Sequence, residues 1–140
     1  MHIAVEINFP IFANAHLDLF GFNLRASLQS AFDLAAHIAG AENMFLSGVG
    51  SSAFDFGLAA RPESVKTIAD VLHWYTELFE KNYDRLSKAS GESLAQAIDF
   101  RGAMQMPSIF FLTLAISHSA HHRGQLSVYL RPMGAKVPSI

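Results

Sequence analysis

"PSIFFLTLAISHSAHHRGQLSVYLRP", Pro107 to Pro132, is the stretch on which the fold turns. Its apolar residues recur with a helical period, a proline opens it, and Pro132 and Gly134 stop it, so it reads as one long helix ending at Leu130 or Arg131. Three histidines fall within five of its residues, at His118, His121 and His122. Each helical residue advances about 100°, so with His118 at zero, His122 lies near +40° and His121 near −60°. On the same scale Phe111 and Tyr129 fall near about +20°, Ala115 near +60°, Leu126 near +80°, Leu112 and Leu130 near +120° and Ile116 near +160°. The apolar stripe therefore centres near about +90°. His122 lies inside it, His118 on its edge, and His121 on the opposite side.

The inward pair is thus His118 and His122, spaced i,i+4 so that both can reach one metal ion. The alternative for such a pair is two core-edge imidazoles hydrogen-bonded to neighbours. Arg123 falls in the apolar half, where it needs a carboxylate or carbonyl partner and serves structure. Gly124, unfavourable in mid-helix, is either tolerated or marks the close approach of another backbone.

Outward from this helix, three more helical segments can be read. The first, about Pro10 to Phe20, is weakly marked. The second runs from Ser27 as N-cap through "LQSAFDLAAHIAGAENMFL" to Leu46, with Gly48 and Gly50 ending it. The third opens at Pro62 or Ser64 and closes before Gly91. "GESLAQAI" is a helical turn or two, and "DFRG" a loop or brief extended segment. No alternating strand pattern competes, so the expected class is all-α: a four-helix bundle in a single domain over residues 1–140. The 15 residues from Ser47 to Arg61 reach about 50 Å when extended. A helix of about 20 residues spans only about 30 Å. The second and third helices can therefore run parallel, joined by a long overhand connection.

His37, in the second helix on the face of Leu34, Ala41 and Phe45, is the candidate third ligand, since burying it unpaired is expensive. Asp33, four residues earlier, is placed to accept a hydrogen bond from a ligand histidine, to be a fourth ligand or simply to be a solvated carboxylate. His73 and Glu77 form another i,i+4 pair that an exposed helix face explains as well.

Composition narrows the function. The chain is 51% hydrophobic and only 16% charged, with mean hydropathy +0.24, which leaves apolar surface for a partner, most simply a second copy. A net charge of −2 with no basic run argues against nucleic acid. The absence of cysteine confines metal ligands to nitrogen and oxygen. The N-terminal residues lack signal-peptide features, and the longest apolar run, 109–116, falls well short of the about 20 residues a membrane span needs, so a cytoplasmic protein is expected.

"HSAHHRGQLSVYLRPMGAKVP", His118 to Pro138, closely resembles the C-terminal signature of the DinB/YfiT-like superfamily of metalloenzymes, and "LAAHIAGAENMFL" resembles that family's second helix. The first helix is shorter here than the family pattern. The resemblance implies a four-helix bundle with an overhand link, often dimeric, and a metal triad matching His37, His118 and His122.

Three neutral imidazoles leave a divalent ion at least one open position, as in catalytic sites. The ion, zinc or nickel in first place, then acidifies a bound water or activates a thiolate. Similarity to the family favours thiol S-transfer to a small electrophilic substrate, with a low-molecular-weight thiol as cosubstrate. A hydrolase needs a general base, for which Asp33 and Glu42 are the nearest carboxylates, neither well placed; His121 is either an assistant at the rim or solvated. The third reading is a stress-related dimeric binding module whose metal site is structural or vestigial.

Overall fold

A computed structural model of the protein describes residues 30–137. The expected first helix, the Ser27 cap, and His2 and His16 lie outside the described residues.

Ser30 starts the first described helix, α1 (Ala31–Ser51), its hydroxyl accepting from the Asp33 backbone N–H at 3.0 Å. The cap thus sits three residues later than Ser27. The far end also lies beyond expectation: α1 passes through Gly48 and Gly50 and stops only where Ser52 adopts a left-handed conformation. These glycines make room rather than end the helix. A side chain at Gly48 would run into the Phe54 ring, and one at Gly50 would meet Arg85 Cδ at 2.7 Å.

α1 is apolar around most of its circumference and forms the centre of the molecule. The second helix, α2 (Ile68–Leu86), begins at Thr67 rather than at Pro62 or Ser64. Thr67 and Asp70 make a reciprocal capping box, satisfying two donors that an uncapped start would leave orphaned. Asn82 donates to Asn43 at 2.9 Å and Arg85 donates to Ser47 at 3.2 Å, while Ile68 and Val71 pack with Ala31 to Ile38. Start meets start and end meets end, so α1 and α2 run in the same direction. The connection carries a 3₁₀ turn, Phe56–Ala59, which lies against α1 at Gly40: any Cβ there would strike the Ala59 carbonyl. Asn43 Nδ2 also donates to the Leu58 carbonyl at 3.1 Å, fastening the turn to the helix.

After the short α3 (Gly91–Ala95) the chain forms an antiparallel hairpin of β1 (Ala97–Phe100) and β2 (Met104–Pro107), pairing Ile98 with Met106 and Phe100 with Met104. The protein is mostly helical, as expected of the all-α class, and the hairpin is the one departure from it among the described residues. Arg101 and Gly102, both at positive φ, turn the hairpin. Its Asp99 carboxylate accepts from the Gly102 N–H at 2.9 Å.

β2 runs straight into the long helix α4 (Ser108–Leu130). Ser108 is fully buried and pins this junction, its N–H donating to the Gln96 carbonyl and its hydroxyl lying 3.0 Å from the carbonyls of Ser93 and Leu94. The buried residues of α4 include Phe111, Ala115, Ser119, Leu126 and Leu130, a stripe centred where periodicity placed it, although Ile116 at its edge is 70% exposed. Phe111 and Ala115 pack with Met44, Phe45 and Val49, whereas Leu126 and Leu130 pack with the start of α1. α4 is therefore antiparallel to α1. Among the described residues no helix is long and apolar enough to cross a membrane.

Candidate metal centre

The antiparallel crossing of α1 and α4 brings His37 opposite His118 and His122. His37 Nε2 and His118 Nε2 are 3.3 Å apart. The ring centroids of His37 and His122 are 4.7 Å apart, and those of His118 and His122 4.4 Å. One nitrogen from each of the three rings lies within 4.8 Å of the others. Donors held at about 2.0 to 2.1 Å by a tetrahedral ion stand about 3.3 to 3.4 Å from one another, the separation of the His37 and His118 nitrogens. The donor set fits a divalent ion of zinc type, and the three histidines could hold one.

All three rings are half-buried. Burial, with the nearby His122, holds the His37 pKa below its ordinary value. Burial first, then the neighbouring imidazoles of His122, His37 and His121, pushes His118 down to about 4. Both rings are thus neutral at physiological pH, as ligation requires. His122 Nδ1–H donates to Gln125 Oε1 at 2.7 Å, which leaves Nε2 with a free lone pair. Gln125, one turn on from His122, was not singled out in the sequence, although the i,i+3 spacing carries the signal.

His118 is braced on its other side by aromatic rings. Phe45 meets it edge-on at 5.9 Å and is itself stacked on Phe100 of β1 at 5.9 Å. The hairpin therefore reaches the histidines through Phe45, a contact invisible to periodicity.

The remaining candidates lie elsewhere. Asp33 is exposed, and its carboxylate accepts from the Ser30 hydroxyl at 2.7 Å, so it works in the helix cap. His121 is exposed, with its ring 5.0 Å from that of His122. His73 and Glu77 approach to 3.5 Å on the solvent face of α2, both largely exposed. Gly124 has no atom near enough to crowd a side chain among the described residues. Glu42 is buried in the interior, and its pKa is raised by desolvation against the opposing pull of Tyr75, Ser119 and Arg123. Arg123 feels the field of that carboxyl group, but its buried Nε makes no hydrogen bond among the described residues.

The motif around His118 and His122 lies within a match to the DinB family model that spans residues 15–140. The chain belongs to the DinB family. Among curated proteins, the uncharacterised protein YrdA of Bacillus subtilis (strain 168) is 35% identical over 79 residues, 56% of this chain and 46% of that protein. The chain thus matches about half the length of that relative. Two crystal structures share the fold. The DinB-like protein YjoA from Bacillus subtilis aligns with a TM-score of 0.77 at 22% identity, over 97% of this chain and 90% of its own. A DinB-like protein from Bacillus cereus ATCC 10987 aligns at 0.80 and 23%, over 97% and 89%.

Proposed function

We propose that His37, His118 and His122 hold one divalent ion, zinc or nickel, and that the protein is a metal-dependent enzyme transferring the sulfur of a low-molecular-weight thiol to a small electrophile. The observation that carries this reading is the convergence of three imidazoles within 4.8 Å, with burial holding His37 and His118 below their ordinary pKa. No described carboxylate joins that group, which favours thiol chemistry over a hydrolase needing a nearby base. A divalent ion held there supplies positive charge that lowers the pKa of a thiol cosubstrate.

The chain's own part is to present the site. Gln125 fixes the His122 tautomer, and Phe45 walls one side of His118 against water. As the thiolate sulfur bonds to the electrophilic carbon, the leaving group departs with the bonding electron pair and the thiol proton goes to solvent.

The same reading takes residues 1–140 as one four-helix bundle with an overhand link between its second and third helices, working in the cytoplasm. The protein pairs with a second copy through apolar surface such as Ile116 and Val128, 70% and 58% exposed.

Elemental analysis of tag-free protein beside His37→Ala and His118→Ala, all purified without chelator, tests the centre. Near-stoichiometric metal in the parent, lost in both variants, is the expected result and opens a screen of thiol and electrophile pairs. A parent that takes up neither zinc nor nickel on dialysis overturns the enzyme reading in favour of a binding module.

A further inference from the structure

One turn beyond the histidines on α1, and beside them on α4, lies a second polar group. On α4, Ser119 directly follows His118 and Arg123 directly follows His122, so these two form their own i,i+4 row, rotated by about 100° from the histidine row toward the core. Opposite them stands Glu42, five residues after His37 and only 9% exposed. Ser119 and Arg123 on α4 and Tyr75 on α2 each favour the charged form of its carboxyl, Arg123 through its field rather than an ion pair, so this one group links α1 to two other helices. Glu42 Oε2, Ser119 Oγ and Arg123 Nε are all buried and make no hydrogen bond among the described residues. A guanidinium so placed depends on the carboxylate for its neutralisation.

Resting on the metal reading above, we infer that Glu42 is a positioning residue: through Arg123 and Ser119 it sets the rotation of α4 against α1 and so aims His118 and His122 at His37. Without the Glu42 carboxylate, the half-buried Arg123, whose Nε is out of water, loses the field that holds it inward and turns toward solvent, carrying with it the turn of α4 that bears both histidines. Replacing one partner therefore disturbs the centre, whereas replacing both by apolar groups removes the imbalance.

The test uses the full chain, cobalt(II) alone as probe, and circular dichroism as the control for folding. Glu42→Gln is expected to keep its helix content, bind cobalt about tenfold or more weakly, in the range seen when supports of metal ligands are lost, and show altered visible absorption of the bound ion. The double variant Glu42→Leu with Arg123→Met is expected to recover most of the parent affinity and its spectrum. A purely structural role would lower thermal stability and leave the affinity and spectrum of the folded protein unchanged. That result, or a double variant no better than the single one, overturns the inference. If Glu42→Gln does not fold, Ser119→Ala carries the affinity and spectral comparison. Cobalt bound by the parent but not by His37→Ala, with Glu42→Gln equal to the parent, removes this inference alone; a parent that binds no cobalt removes the metal reading with it.

Discussion

His37 Nε2 and His118 Nε2, 81 residues apart in the chain, face each other across 3.3 Å. Two imidazole nitrogens this close either share one proton or turn both lone pairs toward a cation. The second arrangement requires His122 and has no use for His121, which is exposed. His122→Ala is therefore expected to lose the near-stoichiometric metal of the parent, and His121→Ala to retain it. Parallel elemental analysis of the two variants decides, and equal retention would remove His122 from the centre.

Gln125 holds His122 by a 2.7 Å hydrogen bond while being itself exposed. Gln125→Ala should weaken metal binding about tenfold or more. Its stability should change by no more than about 0.5 kcal/mol, as for other surface positions. Competition titration with a chromogenic chelator, paired with thermal melts, separates the two quantities.

The metal-free protein should lose stability on mild acidification. His37 and His118 have folded pKa values below the unfolded 6.5, that of His118 at about 4. The unfolded chain therefore binds protons first as pH falls. The contribution of these two rings is fully present above pH 6.5 and drains away between there and about 4. Urea midpoints between pH 7.5 and pH 4.5 are expected to fall less steeply in His118→Ala; an unchanged slope would mean that this ring is not desolvated.

Two helical glycines should respond in opposite directions. Gly40 lies against the Ala59 carbonyl, so Gly40→Ala forces the 3₁₀ turn off α1 and should destabilise by about 1 to 3 kcal/mol. Gly124 has open space around it among the described residues, so Gly124→Ala should stabilise by up to about 1 kcal/mol. Denaturant unfolding of both variants reads the difference, and a Gly124→Ala loss would reveal a backbone packed there.

The histidine cluster was legible from one buried stripe of α4, although Ile109, Phe110, Ile116 and Val128 put apolar residues on its exposed faces as well. Its stripe separates His118 and His122 from His121, and the buried Phe111, Ala115, Leu126 and Leu130 lie on that stripe. α1 offered no such contrast. With apolar residues on every side, "LAAHIAGAENMFL" does not tell which way Glu42 points, so its burial could not be read. Gly48 and Gly50 carry the usual mark of a helix end and serve instead as contact points, a distinction that depends on Phe54 and Arg85 from other parts of the chain. The start of α2 was misplaced because Pro62 and Ser64 look like starts, while the box of Thr67 and Asp70 three residues on is the stronger signal. Of the hairpin, "DFRG" alone reads as a loop or brief extended segment, because the strands are four residues each and only Ile98 is buried, too little alternation to register a pair.

The parallel course of α1 and α2 has a kinetic consequence. Neighbouring helices joined by a tight bend can zip together from the bend outward, but these two cannot, since the join of Asn43 to Asn82 closes a loop of 39 residues before any interhelical contact repays the lost chain entropy. Folding of this pair is thus a matter of topology more than of local helix preference, and it should be slower than that of an up-and-down bundle of equal length. The Asn43 to Leu58 contact tacks the connecting segment to α1, so α2 docks on a helix that already carries its own return path.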